Sequence, residues 1–249
     1  MAAVILPLLA IASVHAVHWG YFHWLHPGLK FPDLFPIMLA AIFLAWRFLI
    51  RRPVAELGVD FADTKGALRE FVRGARYGAV VTGVCLAAAL ASGQVRFGPD
   101  MDLLRKTLYG LLPALGYLIF VPLSAFYEEL HYRGLYLSVF PGRRAALLMA
   151  PVSAAVFSYI HLGVPHPRSY AALLFLNGMI WALMRLRTGS IFMPTGFHSA
   201  WNYILACLAP VFGDMTERYL EFTPIACWVL VFVFVREAVA FARGPSPTS

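Results

Sequence analysis

Charged side chains are scarce in this chain. Asp, Glu, Lys and Arg make up 13% of its 249 residues and hydrophobic residues 60%, against about 25% and about 45–50% in ordinary soluble domains. That balance excludes a solvated globular surface. Cysteine is nearly absent too. Cys85, Cys207 and Cys227 all sit in apolar runs without metal-type spacing, so they read as small buried hydrophobes and no disulfide framework follows. No Lys or Arg precedes the first apolar run. Val14-His15-Ala16 resembles a small-residue cleavage site, but the positive n-region of a secretory signal is missing, and the run reads as a first membrane helix. The zinc-protease signature His-Glu-x-x-His and the serine elbow Gly-x-Ser-x-Gly are also absent, as is any internal repeat.

What the chain does have is apolar runs long enough, or nearly so, to span a bilayer. They fall at about 2–19, 34–50, 77–92, 108–136, 145–162, 169–186, 190–211 and 223–241. Pro and Gly punctuate them at Pro27-Gly28, Pro53, Gly98-Pro99, Pro141-Gly142 and Gly189. The mean hydropathy of +0.71 agrees. The fold class is therefore all-α: a polytopic transmembrane bundle of about eight helices. We divide it into residues 1–107 (helices one to three with a basic cytoplasmic loop), 108–211 (a catalytic helical core) and 212–249 (the last helix and a short tail). Within the basic loop, residues 51–76 read either as an amphipathic helix on the cytoplasmic surface or as a solvated loop.

The net charge of +7 does not point to nucleic acid, because the basic residues lie between apolar runs and suit loops facing anionic lipid. Segments following helices two, four, six and eight hold the larger share, including Arg51, Arg52, Arg143, Arg144, Arg185 and Arg187. The positive-inside rule then predicts both termini in the cytoplasm.

Three short motifs break the apolar pattern. They are Glu128-Glu129-Leu-His-Tyr-Arg133, Phe157-Ser-Tyr-Ile-His161 and His198-Ser-Ala-Trp-Asn202. Each has polar or aromatic partners at i,i+4, hence on one helix face. An ionisable group inside a spanning helix costs at least ~2.5–3.5 kcal/mol on insertion scales, which marks such groups as functional by default. Counted along their helices from the expected cytoplasmic ends, Glu128, His161, His198 and Asn202 fall at overlapping depths within the ~30 Å hydrocarbon slab. Taken singly, a Glu–Arg pair, one histidine or one asparagine is commonly structural. Together on three helices they describe one buried cluster.

Such a cluster suits hydrolysis. A carboxylate in a low-dielectric setting can take a proton from water, and a neighbouring histidine can hold that water. Arg133 would keep Glu129 ionised. His198 and Asn202 are donors that could face a developing oxyanion, and Phe157 would close the site against lipid. Glu128, His161 and His198 could alternatively hold zinc, although the second Glu-x-x-His of a di-iron bundle is missing. Ser158 and Ser199 point away from the neighbouring histidines and are weak nucleophiles.

The ordered motif set resembles the CPBP family, the CAAX protease and bacteriocin-processing enzymes that include the Rce1-type glutamic intramembrane proteases. The family pattern is Glu-Glu-x-x-x-Arg, Phe-x-x-x-His and His-x-x-x-Asn, matched here over roughly residues 110–210. The resemblance implies that Glu128 and His161 activate water, that Glu129 pairs with Arg133, and that His198 and Asn202 form the oxyanion site. It also implies that no metal or other cofactor is needed. The implied partner is a protein or peptide substrate with a membrane-associated segment, cleaved near its C-terminus or within the bilayer: a prenylated tail, a maturing peptide, or a sorting signal of the myxosortase-like kind. The compact, short-tailed form and the positive-inside pattern point to the prokaryotic cytoplasmic (inner) membrane. The alternatives are a non-proteolytic binding or immunity protein on the same scaffold, a metal-dependent membrane protease, and a proton-relay transporter, which the lack of an inverted repeat disfavours. His15, His18, His23 and His26, among Trp19, Tyr21, Phe22 and Trp24, read as an interfacial aromatic belt, with a metal or gating site as the other reading.

Overall fold

Each apolar run of the sequence becomes a helix. The computed structural model describes residues 2–20, 35–95, 111–161, 168–212 and 215–243. Among these residues there are eight helices and no strand. α1 is Ala2–Gly20, and α2 is Phe35–Leu44 continued by a π-helical turn Ala45–Ile50. A 3-10 turn, Val54–Leu57, leads to α3, Thr64–Ala91. α4 is Leu111–Glu129, continued by a second π-helical turn Leu130–Leu135 and a last α turn Tyr136–Ser138. α5 is Arg143–Ile160, α6 Arg168–Thr188, α7 Phe192–Phe212 and α8 Met215–Ala242.

The expectation for residues 51–76 needs correcting. They form neither one surface helix nor one loop: residues 64–76 are the first turns of α3, thirteen residues ahead of the expected start. The local cause is a cap. Asp63 Oδ1 accepts the Gly66 backbone N–H at 2.8 Å, satisfying one of the orphan donors that otherwise discourage a helix start. α3 and the Pro224–Ala242 part of α8 are the two described helices long and apolar enough to cross a membrane; Ile5–Val17 and Ile37–Ile50 are apolar but shorter.

Two apolar clusters flank α4. One, containing Met38, Ile42, Trp46, Leu57, Tyr127 and Leu130, joins α1 and α2 to its first face. The other, containing Tyr132, Phe157, Trp181, Phe197 and Leu230, joins α3 and α5–α8 to its second. Lipid offers no hydrophobic drive between helices, so close backbone approach has to supply contact. α3 and α7 achieve it with glycine. A Cβ on Gly74 would overlap the Met193 carbonyl, one on Gly78 the Phe197 carbonyl, and one on Gly196 the Phe71 carbonyl. This seam fixes the height of α7, and with it His198.

The lower end of α4 is clasped by polar contacts. Ser138 Oγ donates to the Glu56 carbonyl at 2.6 Å and Arg52 Nη1 to the Ser138 carbonyl at 2.7 Å, while Arg52 also pairs with Glu56. Arg185 Nη2 donates to the same Glu56 carbonyl at 2.9 Å. Gly58, at φ +84°, lies where any side chain would strike the Arg185 guanidinium. The turn after α2 thereby ties α4 to α6.

Candidate active site

The π-helical turn begins one residue after Glu129 and contains Arg133. Such turns insert a residue into the ladder and recur at functional sites. Here Ser153 Oγ of α5 donates to the Tyr132 carbonyl at 2.6 Å inside the turn. Glu129 and Arg133 are both fully buried, and Arg133 Nη1 donates to Glu129 Oε1 at 3.2 Å. The guanidinium also lies 4.6 Å from the Phe157 ring centroid and 5.0 Å from that of Trp181. A buried cation held by one carboxylate and two aromatic faces fixes the end of α4 against α5 and α6.

Glu129 has a second partner that its spacing in the chain does not reveal. His198 Nδ1 donates to Glu129 Oε1 at 2.9 Å, so one carboxylate oxygen serves both Arg133 on its own helix and His198 on α7. The imidazole is clamped further by Trp181, stacked on it with centroids 4.1 Å apart and planes 17° apart. With Nδ1–H committed to Glu129, the Nε2 edge of His198 faces Glu128 Oε2 at 3.8 Å.

His161 approaches that same oxygen from α5. Its Nδ1 donates to the Phe157 carbonyl at 2.7 Å. A carbonyl can only accept, so Nδ1 carries the proton and Nε2 presents a lone pair. That lone pair faces Glu128 Oε2 at 3.9 Å, too long for a direct hydrogen bond and right for one bridging water. Glu128 is 7% exposed and borders a cavity of about 150 Å³ whose wall includes Phe157, His161, His198 and Asn202. All seven residues singled out in the sequence thus converge, six of them around or beside one cavity, with Arg133 behind it.

Glu128 with the Nε2 atoms of His161 and His198 would be the groups to face a metal ion. Among the described residues no group of three or more His, Cys, Asp or Glu has the arrangement to hold one. Ser158 Oγ donates to the Ala171 carbonyl and Ser199 Oγ to the Thr195 carbonyl, which keeps both hydroxyls out of the cavity chemistry. The histidine-rich end of α1 departs from the belt expectation at His15, whose Nε2 lies 2.6 Å from the Tyr136 hydroxyl and whose ring lies 4.8 Å from that of His131. The His18 side chain, His23 and His26 lie outside the described residues.

Sequence reasoning missed six members of the wall, Asn177 and Trp181 among them. Asn177 is 1% exposed, lines the cavity, and its Oδ1 is buried without a hydrogen bond. The signal was there: a lone amide in the apolar run of α6, one turn before an indole, repeats the i,i+4 grammar of the three motifs.

Residues 110–204 match the family model described as Rce1-like, type II CAAX prenyl endopeptidase Rce1-like. That stretch is similar to the Rce1-like family. The match runs from α4 into α7 and takes in all three motifs. No curated protein and no solved structure matches the chain. An Rce1-like domain carries with it, in general terms, a membrane-integral endopeptidase acting on protein or peptide substrates. The apolar helices on both sides of the matched stretch fit that setting.

Proposed function

We propose that the chain is a glutamic-type intramembrane endopeptidase whose nucleophile is a water held between Glu128 and His161. The observation that carries this reading is the pairing of two acceptors. Glu128 Oε2 and the His161 Nε2 lone pair stand 3.9 Å apart, so one water can donate a hydrogen to each and turn its own lone pair toward the cavity. As that oxygen attacks the scissile carbonyl, Glu128 takes its proton and later delivers it to the leaving amine. Negative charge then develops on the carbonyl oxygen. His198, held by the Glu129 carboxylate at 2.9 Å, would in its imidazolium form donate Nε2–H to it, and Asn202 its amide, from one helical turn away. Asn177 supplies an acceptor for a substrate backbone N–H. No step needs a metal.

The location we propose is the prokaryotic cytoplasmic membrane, crossed eight times, with both termini in the cytoplasm. The substrate class we propose is a membrane-anchored protein cut near its C-terminus or within its anchor. The small cavity suits a peptide bond and one side chain.

The test compares membrane proteomes from cells making wild-type protein, Glu128→Gln and His161→Ala, using mass spectrometry of C-terminal and membrane-anchored peptides. Each variant is expected to leave substrate uncut while retaining the wild-type melting temperature. Normal turnover in both variants would sink the proposal. With a substrate in hand, Asn177→Ala is expected to raise KM more than it lowers kcat. A strong chelator is expected to leave turnover unchanged, and loss restored by zinc would move the assignment to a metalloprotease.

A further inference from the structure

A second, larger site lies away from the catalytic cavity. It is an open groove of about 740 Å³ along the outer face of α3, bordered by Arg187 at the end of α6, Met193 at the start of α7, and Arg236 of α8. On α3 the lining residues alternate at helical spacing between cationic (Lys65, Arg69, Arg73, Arg76) and apolar (Leu68, Val72, Val80). No carboxylate is among the lining residues. Two acids stand behind it. Glu70 lies 3.7 Å from Arg73, and buried Glu237 pairs with Arg187 at 3.0 Å and Arg236 at 3.2 Å. Six cations and no carboxylate line the groove, which is strongly positive even though Arg69 also borders a smaller pocket with Asp60 and Asp63. The Arg236 guanidinium also lies 4.5 Å from the Tyr77 ring centroid.

The apolar half of the pattern has a direction. Val80 is exposed within the groove and Val84, one turn further along α3, is exposed beyond it. α3 is one of the two helices apolar enough to cross the bilayer, and α8 is the other. A cationic row leading into an apolar track, on a helix that crosses lipid, matches a molecule with a phosphate at one end and a hydrocarbon chain at the other.

We propose that this groove binds one anionic phospholipid. Its phosphate would lie on the Arg69, Arg73 and Arg76 row and one acyl chain along Val72 and Val80 toward Val84. The site is independent of the protease reading and needs only that the chain sit in a membrane.

The experiment uses the purified full chain in detergent. Native mass spectrometry measures retention of phosphatidylglycerol against phosphatidylcholine with the same acyl chains. The chain is expected to retain phosphatidylglycerol preferentially, and Arg69→Gln/Arg73→Gln/Arg76→Gln, all on exposed positions, to weaken it at least about tenfold. A charge-matched control, Arg143→Gln/Arg144→Gln/Arg243→Gln, removes three exposed cations outside the groove and is expected to bind as wild type. Equal retention of the two lipids, or equal loss in both triple variants, would overturn the proposal, since bulk charge would then explain the binding. Two competition arms decide the chemistry. Displacement of the lipid by glycerol 3-phosphate would show a free-phosphate site, and displacement by an acidic peptide a protein-docking site; either result overturns a lipid assignment.

Discussion

Arg133 shows why a salt bridge in this interior is fragile as well as useful. Its fully buried guanidinium meets Glu129 at 3.2 Å, and Glu129 in turn orients His198. Removing one partner of a buried pair leaves the other charge uncompensated, a loss of about 3–5 kcal/mol. Arg133→Met is therefore expected to lower the melting temperature on the order of 10 °C. Glu128→Gln is expected to leave it unchanged, because Glu128 borders the cavity, pairs with no Arg or Lys among the described residues, and keeps its long Ser124 hydroxyl contact at 3.5 Å as an amide. Differential scanning fluorimetry of the two variants separates them, and equal melting would refute this division of labour between the adjacent glutamates. Neighbouring positions in the sequence thus have opposite stability profiles. The i,i+4 spacing made the Glu129–Arg133 pair readable without coordinates. The link from Glu129 to His198 was not readable, because it joins residues on α4 and α7 whose adjacency depends on the whole bundle.

At the scale of helices, the apolar runs were legible because bilayer length and apolar length must agree. The early start of α3 was hidden by its charges, which read as a separate surface helix or a solvated loop until the Asp63 cap and the groove joined them to the apolar run. The π-helical turn at Leu130–Leu135 left no mark in the pattern, since one added residue disturbs a hydrophobic period very little. The glycine seam between α3 and α7 was likewise unread, although Gly74 and Gly78 have the small-x-x-x-small spacing that membrane helices use. The seam has a measurable consequence. Gly78→Leu would press a side chain into the Phe197 carbonyl, displacing α7 and the His198–Glu129 contact. Such a variant is expected to insert normally yet lose most of its proteolytic turnover. Full activity in Gly78→Leu would show that α7 is held elsewhere. Gly83, with open space around its Cβ position, is the matched control, and Gly83→Leu is expected to be active.

At the scale of the molecule, orientation decides which water-filled compartment the cavity can open to. The clasp formed by Arg52, Glu56, Ser138 and Arg185 gathers the ends of α2, α4 and α6 at one level, the face that the positive-inside rule puts in the cytoplasm. A green fluorescent protein fused after the C-terminus should therefore fluoresce and an alkaline phosphatase at the same place should be inactive; the reverse pattern would invert the topology proposed above. The glycine seam also bears on when the proposed site is assembled. Ribosomes deliver α3 to the membrane long before α7 has been translated, and until then the Gly74–Gly78 face has only lipid against it. His198 and Asn202 arrive on that late helix. The proposed site would thus be completed by a late docking step, and a nascent chain stalled before Phe192 would carry both glutamates without His198 and Asn202.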